Sequence, residues 1–274
     1  MRRAIAMLRL VLSAALPELA RPMEAAAQPL WIGDPGRSAF MLEVVKPDFE
    51  GDDGLTFLST AWFAGGRLRL APGATLVAEL PFATVKADDA FGGDSESAVG
   101  NPYLGLELRM PDPSLHVGLG ARIPLVSEED AAARLFGLFA DLNRWEAWID
   151  DVVPLYANLQ YQTLNPDGFG TRAGGGPVAW ISTGNSDSEL LGTYTLQAIY
   201  RGPRFEGAIG LDGRVLFTEG DPLADGRTQH ELVLSASPVI GRSRPGLQLR
   251  LPLGGDLADV VDFTVAVHVA VMAP

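Results

Sequence analysis

Three histidines, His116, His230 and His268, are the only imidazoles in this 274-residue chain, and it holds no cysteine. Disulfides, thiolate metal sites, Cys nucleophiles and a lipidated N-terminal Cys are therefore excluded, and zinc sites and His-based triads are poorly supplied. No G-x-x-x-x-G-K-[ST] loop, H-E-x-x-H pair or G-x-S-x-G elbow occurs. Gly174-Gly175-Gly176 neither follows a clear strand nor opens a helix, so it reads as a turn rather than a phosphate cradle. His230 has Ser235 and Ser237 in its region, but on a different strand phase. These features predict no catalytic residue, no metal site, no cofactor and no enzymatic activity. Acidic clusters such as Asp52-Asp53 and Asp88-Asp89 offer oxygen ligands to calcium, yet match no EF-hand spacing, so they read as solvated charge.

What remains is chemistry of another kind. Charged, amide and imidazole side chains recur at alternate positions along apolar stretches: Tyr103, Glu107, Arg109, His116, Arg122, Asn158, Gln160, Gln197, Glu206, Arg214, Gln248, Arg250, Asp262 and His268. Such groups do not make or break bonds by themselves. They suit the wall of a wet, enclosed passage, and these fourteen residues are the candidate solute-contacting, lumen-lining set.

The elements that position them have period two. Leu104, Leu106, Leu108 and Met110 share a face against Tyr103, Gly105, Glu107 and Arg109. Beyond Pro111-Asp112-Pro113, Leu115, Val117, Leu119, Ala121 and Ile123 oppose His116, Gly118, Gly120 and Arg122. Similar alternation fills 155–162, 194–201, 204–217, 247–253 and 261–271, and less regular strands fit 40–48, 54–64, 75–86, 174–183 and 228–240. Successive strand residues point to opposite faces, so each is a strand with one oily and one polar or small face. Facing Met110 with Leu115 sets Arg109 opposite His116, Glu107 opposite Gly118 and Tyr103 opposite Arg122.

About twelve such strands make either a soluble sandwich, apolar faces sealed between two sheets, or a membrane barrel, apolar face outward. Sandwich strands usually run about five or six residues, whereas crossing a bilayer at a tilt takes roughly 9–11. Several strands here reach the longer figure. The Gly-rich face of mixed charge suits a narrow lumen, and aromatics near strand ends (Trp62, Phe82, Tyr103, Trp180, Phe217) suit interfacial girdles. The expected fold is all-β, a transmembrane antiparallel up-and-down barrel, with the periplasmic sandwich as the alternative.

Charge and its placement agree with that. The net charge is −13, which disfavours nucleic acid as a partner. Mean hydropathy is +0.14, with no long uncharged apolar run for a helical span. Residues 1–27 read as a secretory signal peptide: Arg2-Arg3, an apolar stretch around 10–16, then Ala25-Ala26-Ala27, with Met7 as an alternative start. Residues 28–274 are then the barrel. If the first strand rises from the periplasm, most acid falls in the outer connections (50–53, 88–96, 187–189, 219–225, 256–259) and most Arg in the inner ones. The long outer connection carries Leu135, Leu138, Phe139, Leu142, Trp145 and Ile149 at helical steps, with Ser127 and Asp130 as a capping start. This helix is expected to rest on the rim, with a plug in the lumen as the alternative.

Gly100-Asn101-Pro102-Tyr103-Leu104-Gly105-Leu106-Glu107, then Leu119-Gly120-Ala121-Arg122-Ile123-Pro124 and Pro154-Leu155-Tyr156-Ala157-Asn158-Leu159, resemble the outer-membrane barrels of the phenol-degradation meta-pathway transporter family. The resemblance covers mainly 75–165. It implies a barrel of about twelve strands in a Gram-negative outer membrane, passing small and often hydrophobic solutes. Outer-membrane lipid or lipopolysaccharide and the barrel-assembly machinery would be its partners. The chain departs from such barrels in ending Val-Met-Ala-Pro, without a terminal aromatic residue. The alternative is a non-conducting surface barrel that binds partners or divalent ions through its acidic loops.

Overall fold

A computed structural model describes residues 38–49, 59–86, 94–127, 130–184, 187–218, 228–254 and 257–273. The expected leader at 1–27 and most of the acidic connections lie outside the described residues. The strands are β1 (Ala39–Phe49), β2 (Thr60–Ala71), β3 (Ala74–Lys86), β4 (Ser95–Val99), β5 (Tyr103–Arg109), β6 (Leu115–Arg122), β7 (Val152–Leu164), β8 (Phe169–Ser182), β9 (Glu189–Arg201), β10 (Phe205–Leu216), β11 (Thr228–Pro238), β12 (Ser243–Pro252) and β13 (Val261–Met272). Between β6 and β7 lie helix α1 (Ala131–Ala140) and a 3-10 helix, Leu142–Ala147.

Every neighbour in the sheet is antiparallel, and the sheet closes on itself. β13 pairs with β1 from Ala39↔Met272 onward, and β2–β3 pairing completes the ring. The result is a closed twelve-strand barrel plus one extra strand, β4. β4 and β5 both pair with β3, at Phe82–Lys86 and Ala74–Glu79 respectively, so they lie end to end along it. The break between them is Gly100-Asn101-Pro102, where the Gly100 N–H donates to Pro81 O at 3.0 Å. Closure pairs the barrel strands on both sides, whereas β4 pairs with β3 alone.

The β5–β6 hairpin has the register expected from the sequence: Tyr103↔Arg122, Glu107↔Gly118 and Arg109↔His116. Connections at one end are two to five residues long and those at the other six to twenty-nine. The tightest is Pro72-Gly73, where Gly73 has φ 88°, a left-handed geometry that glycine adopts without a Cβ penalty.

The barrel is oily outside and polar inside. Leu104, Leu119, Leu196 and Leu247 are 51–59% exposed, while Glu43, Arg122, Asp212 and Arg244 are at 0%. Among the described residues one closed sheet contains every strand and no second sheet covers the leucine rows, which excludes the sandwich. Two local expectations also change. Gly174–Gly176 is not a turn but lies inside β8, paired with β7 and β9. Much of the Arg assigned to the inner connections also lies elsewhere: Arg67, Arg172 and Arg244 sit in strands and, like Arg201 at the end of β9, are buried. The strands continue past the point where alternation of apolar residues fades, because the short-turn end of the lumen is itself lined with charge.

Candidate functional site

The interior is built by small inward residues on one wall and large polar ones on the other. Ala61, Ala83, Ala98 and Ala266, from β2, β3, β4 and β13, leave a recess with Val45 and Val85. Helix α1 fills it with Ala133, Phe136 and Ala140. The helix therefore lies within the barrel as a plug and not on the rim. Its N-cap is Asp130, which makes no side-chain cap bond; the Ala133 N–H donates instead to Glu96 Oε1 of β4 at 2.9 Å. That carboxylate meets the positive end of the helix, where orphan N–H groups need acceptors. Trp148 returns beside the helix against Gly137, where a Cβ would collide with the indole, and its ring meets Phe63 edge-on at 6.3 Å.

Residues 141–146 then reach across the lumen. Arg144 bonds Asp141 within the loop, Glu43 of β1, and Glu79 of β3 at 3.2 Å. Arg250 of β12 pairs with Asp141 at 2.5 Å and Glu43 at 3.4 Å. Arg122 of β6 pairs with Glu79 at 2.8 Å. Glu146 pairs with Arg214 of β10 and accepts from Trp180 Nε1 at 3.2 Å. Four carboxylates thus face four guanidiniums, all buried. Isolated charges there would cost several kcal/mol each, so mutual pairing is what lets them be enclosed. Asn143 Nδ2 adds bonds to Glu231 at 2.9 Å and Asp212 at 3.3 Å, two carboxylates directly opposite in the β10–β11 register.

Both ends of the loop are clasped by Asn101, in the break between β4 and β5. Its side-chain amide donates to Glu146 O at 3.1 Å and Ile149 O at 2.6 Å. Its Oδ1 accepts from Leu125 N and Val126 N at 2.7 and 2.9 Å. All four bonding positions of one buried amide are thereby used.

Opposite the plug, a narrow polar cavity of about 100 Å³ runs between β5 and β10. His116, Asn158, Gln160, Thr195 and Asp212 line it, with Asn143 on the plug side. Tyr103 lies over Gly105 and Gly120 and meets Tyr156 edge-on at 5.5 Å.

The other sequence-derived residues separate as follows. Glu107 pairs with Arg67, Glu206 with Arg244 at 3.6 Å, and Gln197 accepts from Arg172 at 3.2 Å. Gln248 accepts from Arg250 at 2.8 Å, and His268 Nε2 meets Ser237 Oγ at 3.1 Å. Arg109 is exposed at the β5 end, beside Gly73. Asp262 departs from the lumen set: it is exposed beside a register shift, Asp48↔Phe263 followed by Phe49↔Val261, so one extra residue turns Val261 inward in its place. Among the described residues no cluster of three or more metal-ligating side chains occurs.

Glu43, Glu79, Asn101, Asp141, Arg144 and Glu146 complete the site and were not in the sequence-derived set. Glu43 and Glu79 carried a usable signal: each is a lone carboxylate in an apolar run, Met-Leu-Glu-Val-Val and Val-Ala-Glu-Leu-Pro.

No family model matches the chain, and no curated protein matches it. Among solved structures it is similar to an outer membrane channel from Pseudomonas putida F1, with a TM-score of 0.59 and 15% identity, over 93% of this chain and 100% of that one. It is also similar to LpxR from Salmonella typhimurium, with a TM-score of 0.51 and 12% identity, over 86% and 100% of the two chains. The shared property is the barrel fold.

Proposed function

We propose that the chain is an outer-membrane channel through which small solutes pass passively, gated by the segment 123–151. The observation that carries this is the inverted barrel: a closed, charged interior beneath an apolar exterior, with a loop folded inside and held by ion pairs. Contiguous apolar patches beyond a few hundred Å² are rare on soluble monomers, and here exposed large apolar side chains recur on twelve of the thirteen strands. The short-turn end is read as periplasmic and the long-loop end as external, as in bacterial barrels. The leader at 1–27 would export the chain, and the assembly machinery would insert it.

The polar cavity between β5 and β10 supports small solutes that can hydrogen-bond, with Asn158, Gln160 and His116 as contacts. Its volume implies that larger or apolar solutes need the plug to move. A non-enzymatic role is supported by β11, where His230 points outward to Tyr194 at 2.5 Å while Ser237 points inward to His268. The test is liposome swelling with solutes of graded size and polarity, together with planar-bilayer conductance. Slow passage by the full chain, and faster passage when residues 131–147 are replaced by a short Gly-Ser linker, is expected. A barrel sealed in both forms would instead favour the second reading, a non-conducting surface barrel, which the density of ion pairs across the lumen supports.

A further inference from the structure

The chain contains only two lysines, Lys46 and Lys86, among 21 basic residues. All strand arginines lie on the inward phase, yet both lysines sit on the outward phase, at the long-loop ends of β1 and β3. Neither ammonium forms an ion pair among the described residues. Lys46 follows Val45, the partner of Ala61, and is thus level with Thr60; Thr60 pairs with Thr84 and Thr84 with Ser97. A cation and three hydroxyls form one row across four strands, and Lys86 stands one step above Thr84. The next row inward is Val44, Trp62, Phe82 and Val99. Trp62 Nε1 donates to Thr60 Oγ1 at 2.8 Å, which fixes the boundary between oily and polar rows.

Below the lysines lies an external groove of about 910 Å³, walled by Val44, Trp62, Phe82, Phe263, Val265 and Val267. We propose that this wall docks one phosphorylated glycolipid of the outer leaflet, with an acyl chain in the groove and its phosphates between Lys46 and Lys86. The inference rests on the reading that the outward face meets lipid. Two strand spacings and one two-residue step put the lysine Cα atoms about 12 Å apart, within reach of a phosphorylated disaccharide headgroup. Lysine suits the task because its apolar stem lies along the groove while its hydrated point charge stays at headgroup level. Asp48 is one step beyond Lys46 on the same face, and Asp262 is exposed on β13; their carboxylates confine a phosphate to the β2–β3 side.

Native mass spectrometry of the full chain in detergent, offered bisphosphorylated lipid A or its dephosphorylated form, tests the proposal. Wild-type protein should retain the phosphorylated lipid roughly tenfold better. Lys46→Gln with Lys86→Gln should erase the preference with heat-modifiable gel mobility unchanged, and Val44→Trp should lower occupancy by both lipids. Equal retention of both lipids by wild type, or a preference that survives the double substitution, would overturn the docking site. Flotation with vesicles is the separate control: a chain that does not float overturns the membrane reading and this site with it, whereas one that floats without preference overturns this site alone.

Discussion

The guanidinium of Arg144 lies over the ring of Phe63, 3.5 Å from its centroid, while its nitrogens bond Glu43, Glu79 and Asp141. One side chain thereby ties the plug to two barrel strands, carboxylates on its edge and an aromatic ring on its face. Burial of the cation without the carboxylates would be costly.

Arg144→Gln removes the centre of this arrangement. Breaking a buried pair by deleting one partner costs about 3–5 kcal/mol. Hydrogen exchange over 131–148 should speed up strongly while β8–β10 remain protected, and single-channel conductance should rise. Unchanged exchange in the loop would show that the apolar recess alone holds the plug.

Asn101→Asp keeps shape and removes the two donors to Glu146 O and Ile149 O. It also places a carboxylate against two carbonyls in a fully buried position. Each donor or acceptor left unpaired costs about 1–3 kcal/mol. Both ends of the loop should loosen together, seen as new proteolytic cuts within 123–127 and 147–151. Cuts at one end only would mean that the two strands of the loop are held independently.

Asp141 gives the plug a pH limit. Burial raises its pKa, but Arg144 and Arg250 outweigh burial and lower it from 3.8 to about 2. A depressed folded pKa means a contribution fully present above about pH 4 and lost as pH falls towards 2. Plug protection should therefore stay level from neutral pH to about 4 and fall below it. Asp141→Asn should flatten that acid limb while weakening protection at neutral pH, as measured by hydrogen exchange on the purified barrel.

Much of this architecture was legible because inverted strands announce themselves: leucines at alternate positions from Leu104 to Leu119 fix register and face without reference to distant residues. The plug was only half legible. Helical spacing in 131–149 is local, but the recess that receives it is assembled from Ala61, Ala83, Ala98 and Ala266, whose convergence only closure of the barrel decides. Asp262 misled because a single extra residue changes phase without changing the apparent alternation. β4 was hidden because Gly100-Asn101-Pro102 interrupts the ladder, and those residues serve the loop and not the sheet.

Gly137→Ala separates packing from helix propensity. In an exposed helix the exchange would stabilise by about 1 kcal/mol. Here the new methyl meets the Trp148 indole, and overpacking of that kind costs about 1–3 kcal/mol. The sign of the change decides: thermal unfolding followed by tryptophan fluorescence should occur at lower temperature, and a rise would place the indole away from the helix.

The short-turn end of the lumen carries Arg67, Arg172, Arg201 and Arg244 against Glu107 and Glu206, an excess of positive charge. Towards the middle, Glu43, Glu79, Asp141 and Glu146 are matched by Arg122, Arg144, Arg214 and Arg250. A permeating ion therefore meets a positive ring at the short-turn end and a paired middle, and the walls of a narrow low-dielectric bore concentrate the field of that ring. Arg172→Gln with Arg201→Gln should shift the reversal potential in a salt gradient towards cation selectivity, leaving the plug and its exchange protection intact. Because Arg172 donates to Gln162 and Gln197, glutamine preserves hydrogen-bonding capacity there, so a change in selectivity without a change in thermal stability isolates the charge. A reversal potential that does not move would place the ion path away from this ring.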